Sequence, residues 1–318
     1  MRVLVLGGTS LTGPFLVRRL EGLGHEVTVF HRGEHETELP AAVRHLHGSF
    51  DDPPRDLRDL APDVVIHMWA LTEADAARFL NLFTGFAGRA VVISSCDVYR
   101  AYGRFQRLES GSPPATAAPL DEDAPLRESR YPYRNKKGPV EIPDQYDKVL
   151  VEEALRAQTA LPVTILRFPA VYGPNDYHRF RPWVQKLVPG NPEIRLQDDF
   201  ARWRWTHGFV ENVAEAVVLA ATHDAAAGGT YNVGEAVAPT WAERLAEWAR
   251  VADWHGRIVP VPADALPENE RMPPDFSHHL AIDTTRIRRD LGYAEPVTRE
   301  EGIARTIAWE RSEAAAGS

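Results

Sequence analysis

Cysteine is nearly absent: Cys96 is the single thiol in 318 residues. One thiol excludes an intramolecular disulfide framework and points to a reducing, cytoplasmic setting. Basic charge is also short, with 36 Lys and Arg against 45 Asp and Glu and a formal net charge of −9. That field disfavours RNA or DNA as a partner. No basic stretch leading into an apolar run opens the chain, because Val3–Leu6 already reads as a strand, so no leader is expected. No run of about 18 apolar residues occurs, so no membrane span is expected. Metal-like spacing is missing too. His45 and His47 stand at strand spacing and His278 and His279 are adjacent, yet neither pair joins a third ligand along the sequence. No metal is expected.

What is present is an alternation of short β-branched runs with helical periods. Val3–Leu6, Val27–Phe30, Val64–His67, Ala90–Ser94 and Val163–Arg167 read as strands. Leu16, Leu20 and Leu23 repeat at helical spacing, and Gly24 closes that helix. The expected class is α/β: a Rossmann-type doubly wound parallel sheet with a smaller C-terminal substrate domain. The expected boundaries put the dinucleotide-binding domain at 1–173, with 207–234 returning to it, and the substrate domain at 174–206 and 235–318. Residues 101–143, rich in Pro, Gly, Arg and Ser, read as a long functional loop.

The stretch Gly7-Gly8-Thr9-Ser10-Leu11-Thr12-Gly13 lies between the first strand and the first helix. A dinucleotide site needs glycine there for the tight turn, for backbone approach to the pyrophosphate and for helix–strand packing. The helix N-terminus then offers free N–H groups to the phosphates. Ser10 stands at the middle position of a Gly-x-x-Gly-x-x-Gly pattern, where its hydroxyl can donate to phosphate. The second strand ends in Phe30-His31-Arg32-Gly33 with no carboxylate before Glu34. An acidic residue there holds a ribose 2′-hydroxyl and an arginine a 2′-phosphate, so Arg32 favours NADP(H) over NAD.

Several stretches together resemble the extended short-chain dehydrogenase/reductases of the NAD-dependent epimerase/dehydratase type. They are Asp63–His67, Ser94-Ser95-Cys96-Asp97-Val98-Tyr99, Pro119–Glu122, Leu166–Pro174 and Val210–Ala214, in family order over about residues 1–235. The opening and the His31-Arg32-Gly33 segment look like the atypical branch that includes the chloroplast stem-loop-binding proteins. The resemblance implies cofactor contacts at Gly7, Thr9, Ser10, Leu11, Gly13, Arg32, His67, Ser94, Lys148, Phe168 and Ala170. It implies that Ser95 bonds the reacting oxygen, that Arg202 and Arg204 meet a diphosphate, and that two copies pair through sheet-flanking helices. Cys96 and Asp97 stand where a dehydratase carries Asp-Glu. An ordinary thiol, with a pKa of about 8.5, is too weak an acid for that role, so sugar dehydration is disfavoured. Asp97 remains a candidate acid or base. Trp69 replaces a small residue and either narrows the pocket or fills core.

The family's proton transfer uses a tyrosine and a lysine four residues apart on one helix face. Here the segment is Pro143-Asp144-Gln145-Tyr146-Asp147-Lys148. Anchoring on Lys148 puts Asp144 at the tyrosine position; anchoring on Tyr146 puts Leu150 at the lysine position. The lysine register is preferred, with Asp144, Tyr146, Tyr131 or Tyr133 supplying the acid–base group. Two residues turn a helix by about 200°, so Tyr146 and Lys148 meet only if Tyr146 lies in an irregular first turn. The expected function is an NAD(P)-dependent oxidoreductase or epimerase acting on a sugar or nucleotide-sugar-like alcohol or carbonyl. The alternative is a catalytically impaired dinucleotide-binding protein, a sensor or RNA-associated relative.

Overall fold

The computed structural model describes residues 1–111, 119–136, 141–176 and 179–316. Seven parallel strands form the central sheet: β1 (Arg2–Leu6), β2 (Glu26–His31), β3 (Arg44–His47), β4 (Val64–His67), β5 (Arg89–Ser95), β6 (Val163–Phe168) and β10 (Thr230–Asn232). Their spatial order is β3-β2-β1-β4-β5-β6-β10. The order reverses between β1 and β4, which opens a crevice at their carboxyl ends.

Alternation along each strand feeds two cores. Val3, Val5, Val27, Val29, Val64, Ile66, Val91 and Ile93 point to one face, beneath α1 (Gly13–Gly22) and α7 (Val210–Thr222). Leu4, Leu6, Val65, Ala90 and Val92 point to the other, against Phe79 and Phe83 of α2 (Glu73–Phe83) and Val151 and Leu155 of α4 (Lys148–Arg156). Strands buried on both faces have no polar alternation, so they read as continuous apolar runs. Gly24, at φ +81°, ends α1 as expected: the N–H of His25 reaches back to the Leu20 carbonyl at 3.2 Å.

The remaining elements lie beyond the sheet's carboxyl edge or against its β10 side. Strand β7 (Ala170–Tyr172) pairs with β9 (His207–Phe209), and β8 (Glu193–Gln197) with β11 (Arg257–Val261), in two small parallel ribbons. Helices α5 (Arg181–Val184), α6 (Asp198–Arg202), α8 (Trp241–Val251), α9 (Thr285–Leu291) and α10 (Arg299–Ala316) complete the chain. Trp248 stacks on Phe180 at 4.1 Å in an aromatic core that also holds Trp241, Phe200 and Trp203.

The reading of 101–143 as all loop needs one correction. Arg100–Phe105 forms a short helix, α3, that buries Tyr102 and Phe105. Their spacing of three is helical, but the surrounding Arg and Gly masked it. The parts of that segment at 112–118 and 137–140 lie outside the described residues. Among the described residues no helix is long and apolar enough to cross a membrane.

Candidate functional site

A cleft of about 1090 Å³ opens where the strand order reverses, lined by Gly7, Thr9, Ser10, Arg32, His67 and Trp69 among others. The glycine turn forms its floor. Gly7 sits at φ +79°, a conformation that disfavours any side chain. A Cβ on Gly13 would lie 2.5 Å from the Gly8 carbonyl carbon, so turn and helix can touch only with glycine at 13. Leu11 also takes a left-handed conformation, φ 42°, which bends the chain into α1. Ser10 is exposed at the rim and Thr9 half-buried.

Arg32 reaches the same cleft with its side chain 67% exposed, ion-paired to Glu34 at 2.7 Å. His67 is buried, stacked on Phe79, and its Nε2 meets no hydrogen-bond partner among the described residues. Burial strips its hydration and pushes its pKa down to about 3, so the ring is neutral. Trp69 is 56% exposed over the cleft, which excludes a core role.

At the carboxyl end of β5 the predicted acid–base residues come together. The Tyr146 phenol donates to Asp97 Oδ2 at 2.7 Å, and the Tyr133 phenol reaches the same oxygen at 3.3 Å. The Ser95 hydroxyl accepts from the Asp97 N–H at 3.2 Å. Lys148 is buried, donating from Nζ to the Ala70 carbonyl at 2.6 Å and the Ile93 carbonyl at 2.9 Å. Its ammonium lies 5.9 Å from the centre of the Tyr146 ring. Phe168 is the register partner of Ser95 across β5 and β6, and Ala170 follows it, buried, at the start of β7.

The helix start explains how Tyr146 and Lys148 meet. Asp147 caps α4, accepting from the Val149 N–H at 3.0 Å, and is itself held by Arg127 at 3.0 Å. The helix therefore begins at Lys148, and Tyr146 stands before it in a turn closed by its N–H to the Pro143 carbonyl. Asp144 and Tyr146 both precede the helix, so neither the Asp144–Lys148 nor the Tyr146–Leu150 pair lies on one helix. Asp144 lies outside the helix, exposed, accepting from the Asn135 N–H at 2.9 Å and away from the cluster.

Electrostatics follow from burial. Desolvation raises the Asp97 carboxyl, with Arg127, the Tyr146 phenol and Lys148 opposing it. Burial, then the Asp97 charge, holds the Tyr146 phenol well above its usual range. Burial lowers the Lys148 ammonium to about 8, against the fields of Asp97, Asp75 and Glu152. The Cys96 thiol is pushed up to about 12 by burial and the Asp97 charge.

The expected diphosphate arginines are not gathered here. Arg202 is 69% exposed and faces Asp198 of its own helix at 3.5 Å. Arg204 donates to the Ala238 carbonyl at 2.8 Å. Ser94 turns away from the cluster and donates to Glu152 at 2.6 Å. One gathering escaped the sequence entirely. His31 comes beside His45 and His47 across the β2–β3 register, and Glu36 joins them, so the two strand-spaced histidines do acquire further potential ligands.

The model of the NAD dependent epimerase/dehydratase family matches residues 3–234. The chain belongs to that family. A 2′-dehydrokanamycin reductase of Streptomyces kanamyceticus is 29% identical over 231 residues, 69% of this chain and 58% of that protein. A dTDP-glucose 4,6-dehydratase of Streptomyces niveus is 27% identical over 98% of this chain and 93% of its own length. The chain spans little more than half the length of the first two curated relatives, 58% and 52%. Among solved structures, a UDP-glucose 4-epimerase of Thermus thermophilus in complex with NAD superposes with a TM-score of 0.69 at 23% identity, covering 98% of this chain and 99% of that one. A Thermotoga maritima UDP-glucose 4-epimerase with UDP-glucose gives 0.68 at 18% identity, covering 99% and 100%. At that identity the likeness establishes the shared fold.

Proposed function

We propose that this family member is an NAD(P)-dependent oxidoreductase or epimerase acting on the alcohol or carbonyl of a sugar or nucleotide-sugar-like molecule. The observation that carries the reading is the buried Ser95–Asp97–Tyr146 cluster beside Lys148, at the same strand ends as the Gly7–Gly13 turn. Such a cluster next to a dinucleotide-sized cleft is an acid–base site by its chemistry.

The residues present fit a dinucleotide. The turn between Gly7 and Gly13 puts Gly7, Thr9 and Ser10 on the cleft wall before the N-terminus of α1, with Leu11 leading into the helix, and a side chain at Gly13 would collide with the Gly8 backbone and push turn and helix apart. Lys148, with Phe168 and Ala170 nearby, would hold the nicotinamide end, and His67 would line the pocket between. When bound, the cofactor supplies or accepts the hydride. Ser95 orients the substrate oxygen. Tyr146 gives its proton to that oxygen, and Asp97, in contact with the phenol, returns one when its own carboxyl is protonated, the form that burial favours. The Lys148 charge lowers the cost of the phenolate that forms.

Burial and the Asp97 charge hold the phenol protonated at rest, so it gives up its proton only as negative charge develops on the substrate oxygen, with the Lys148 ammonium beside it. The Cys96 thiol, at about 12, supplies no acid for dehydration, despite the similarity to a protein named as a dehydratase. The finer reading takes NADP(H), with Arg32 as the 2′-phosphate partner once it releases Glu34. It assigns Arg202 and Arg204 to a substrate diphosphate; the UDP-glucose bound by the Thermotoga structure motivates that class.

The test follows loss of NADPH or NADH absorbance against a panel of carbonyl compounds and nucleotide sugars, with product chromatography for epimerisation. Consumption of either cofactor, or epimerised product, supports the reading. Tight cofactor binding with no turnover across the panel would replace it with the non-catalytic alternative. Absence of binding heat for both dinucleotides would sink both.

A further inference from the structure

At the outer edge of the sheet, β2 and β3 run parallel with His31 opposite His47 and Val29 opposite His45. Register partners in a parallel pair face the same way, as do residues two apart on one strand. His31, His45 and His47 therefore share one face at the strands' carboxyl ends. The segment after β2 brings Glu36 over them. His31 Nε2 and His45 Nδ1 stand 3.0 Å apart, His47 Nε2 and a Glu36 oxygen 3.1 Å, and His45 Nδ1 and the other Glu36 oxygen 3.7 Å. One ligand atom from each of the four side chains lies within 4.8 Å of all the others.

We propose that His31, Glu36, His45 and His47 form a binding site for one divalent transition-metal ion of the zinc class. Zinc takes nitrogen and carboxylate donors at about 2.0–2.2 Å, which places tetrahedral ligands about 3.3 Å apart. The observed separations bracket that value, so rotamer adjustments of well under a strand spacing complete the shell. Three imidazoles and one carboxylate with no thiolate select zinc, copper or nickel over calcium or magnesium, which want oxygen donors. The elements fit the role. His31 is buried on β2, one strand in from the edge, which fixes one ligand, while His47 and Glu36 are more than half exposed and free to close on an incoming ion. Two strands and the intervening segment supply ligands, so an ion would also pin the sheet's edge strand. The titration reads this site whether or not the proposed activity holds, although His31 also lines the cleft and is adjacent to Arg32.

The experiment titrates metal-stripped protein, carrying no added histidine tag, with cobalt(II) followed by visible absorption, then with zinc as competitor. The expected result is one equivalent of cobalt with the intense bands of a tetrahedral site, displaced by zinc. Loss of an outer-shell partner alone commonly costs about 10–100-fold in metal affinity, so His47→Ala should cost at least as much. His255→Ala removes a fully solvent-facing histidine elsewhere and should change nothing. Glu36→Gln, on the exposed segment, should weaken binding without unfolding the chain. Failure of wild-type protein to take up one saturable equivalent would overturn the proposal, as would equal affinity in His47→Ala.

Discussion

Two buried charge clusters are fed by consecutive residues of β5. Ser94 serves the first. Its hydroxyl, Arg167 and Arg156 all converge on Glu152, with Arg167 bonding both carboxylate oxygens at 2.9 and 2.8 Å. Ser95 serves the second. There Asp97 is met by the neutral phenols of Tyr146 and Tyr133 on one oxygen, and its Oδ1 has no partner among the described residues. Both carboxylates are almost wholly buried, yet Glu152 is held below the ordinary glutamate range and Asp97 above the ordinary aspartate range. Burial penalises both charges; guanidinium groups bond Glu152 directly, whereas the side chains bonded to the Asp97 carboxylate are phenols, and Arg127 and Lys148 act on it through their fields. A carboxylate bound by guanidinium groups is scaffold, and one left partly unanswered is chemically poised.

Breaking the first cluster should give the largest effect. Glu152→Ala leaves the Arg167 guanidinium buried without its counter-charge, a loss commonly of about 3–5 kcal/mol. Calorimetric unfolding checks it, and a melting temperature close to wild type would show that the network is not a scaffold. Its acid limb has a definite sign. Glu152 is depressed when folded, so its stabilisation is present above the ordinary glutamate pKa of about 4.3 and is lost as pH falls through the folded value.

The same change of charge in the second cluster should act on turnover instead. Asp97→Asn keeps an acceptor for Tyr146 but removes the proton reservoir, and general acid–base groups commonly contribute about 10²–10⁴-fold. Stability should hold or rise. A carboxyl raised in the folded state binds its proton more tightly there, so stability falls as pH climbs through that interval, and asparagine removes the penalty. Retained turnover in Asp97→Asn would reduce the second cluster to another piece of scaffold.

The contrast also marks what the sequence could reveal. The phosphate turn is local: Gly7, Gly13 and the strand and helix beside them lie within about twenty residues, and each demand is one that only glycine meets. Strands buried on both faces were equally plain. Strand β3 was not, because Arg44-His45-Leu46-His47 at a sheet edge buries a single apolar side chain and carries little hydrophobic signal. The Tyr146–Lys148 meeting depended on where α4 begins. Its signal was Asp147, a good N-cap residue directly before the Lys148-Val149-Leu150 run. Nothing local in the sequence announces that Arg127 would anchor that cap from twenty residues away, or that His31 would pair in register with His47.

Lys148 belongs to the second cluster and sharpens the comparison through pH. Its ammonium titrates at about 8 when folded, against about 10.4 in an unfolded chain. The charge that supports the Tyr146 phenolate is present below about 8, so turnover should fall as pH rises through that value. In Lys148→Arg the cation persists, and the limb should move off the accessible scale. Stability should move the other way between about 8 and 10.4, because the unfolded chain binds more protons there. An unchanged limb in the arginine variant would assign the titration to a different group.

Trp69 offers the smallest and most selective probe, since it touches neither cluster. It stands over the glycine turn, with its Cβ 3.6 Å from the place a Gly7 side chain would occupy, and leaves more than half its surface in solvent. An exposed indole contributes little to folding, so Trp69→Ala should leave stability within about 0.5 kcal/mol. Aromatic stacking is worth about 0.5–1.5 kcal/mol, so the same change should weaken dinucleotide binding by roughly two- to tenfold if the indole covers the bound cofactor. Fluorescence titration reads both at once: wild-type emission should fall as dinucleotide binds, and the alanine variant should lose the larger part of that change. Equal affinity and equal quenching in the two proteins would place the indole outside the binding surface.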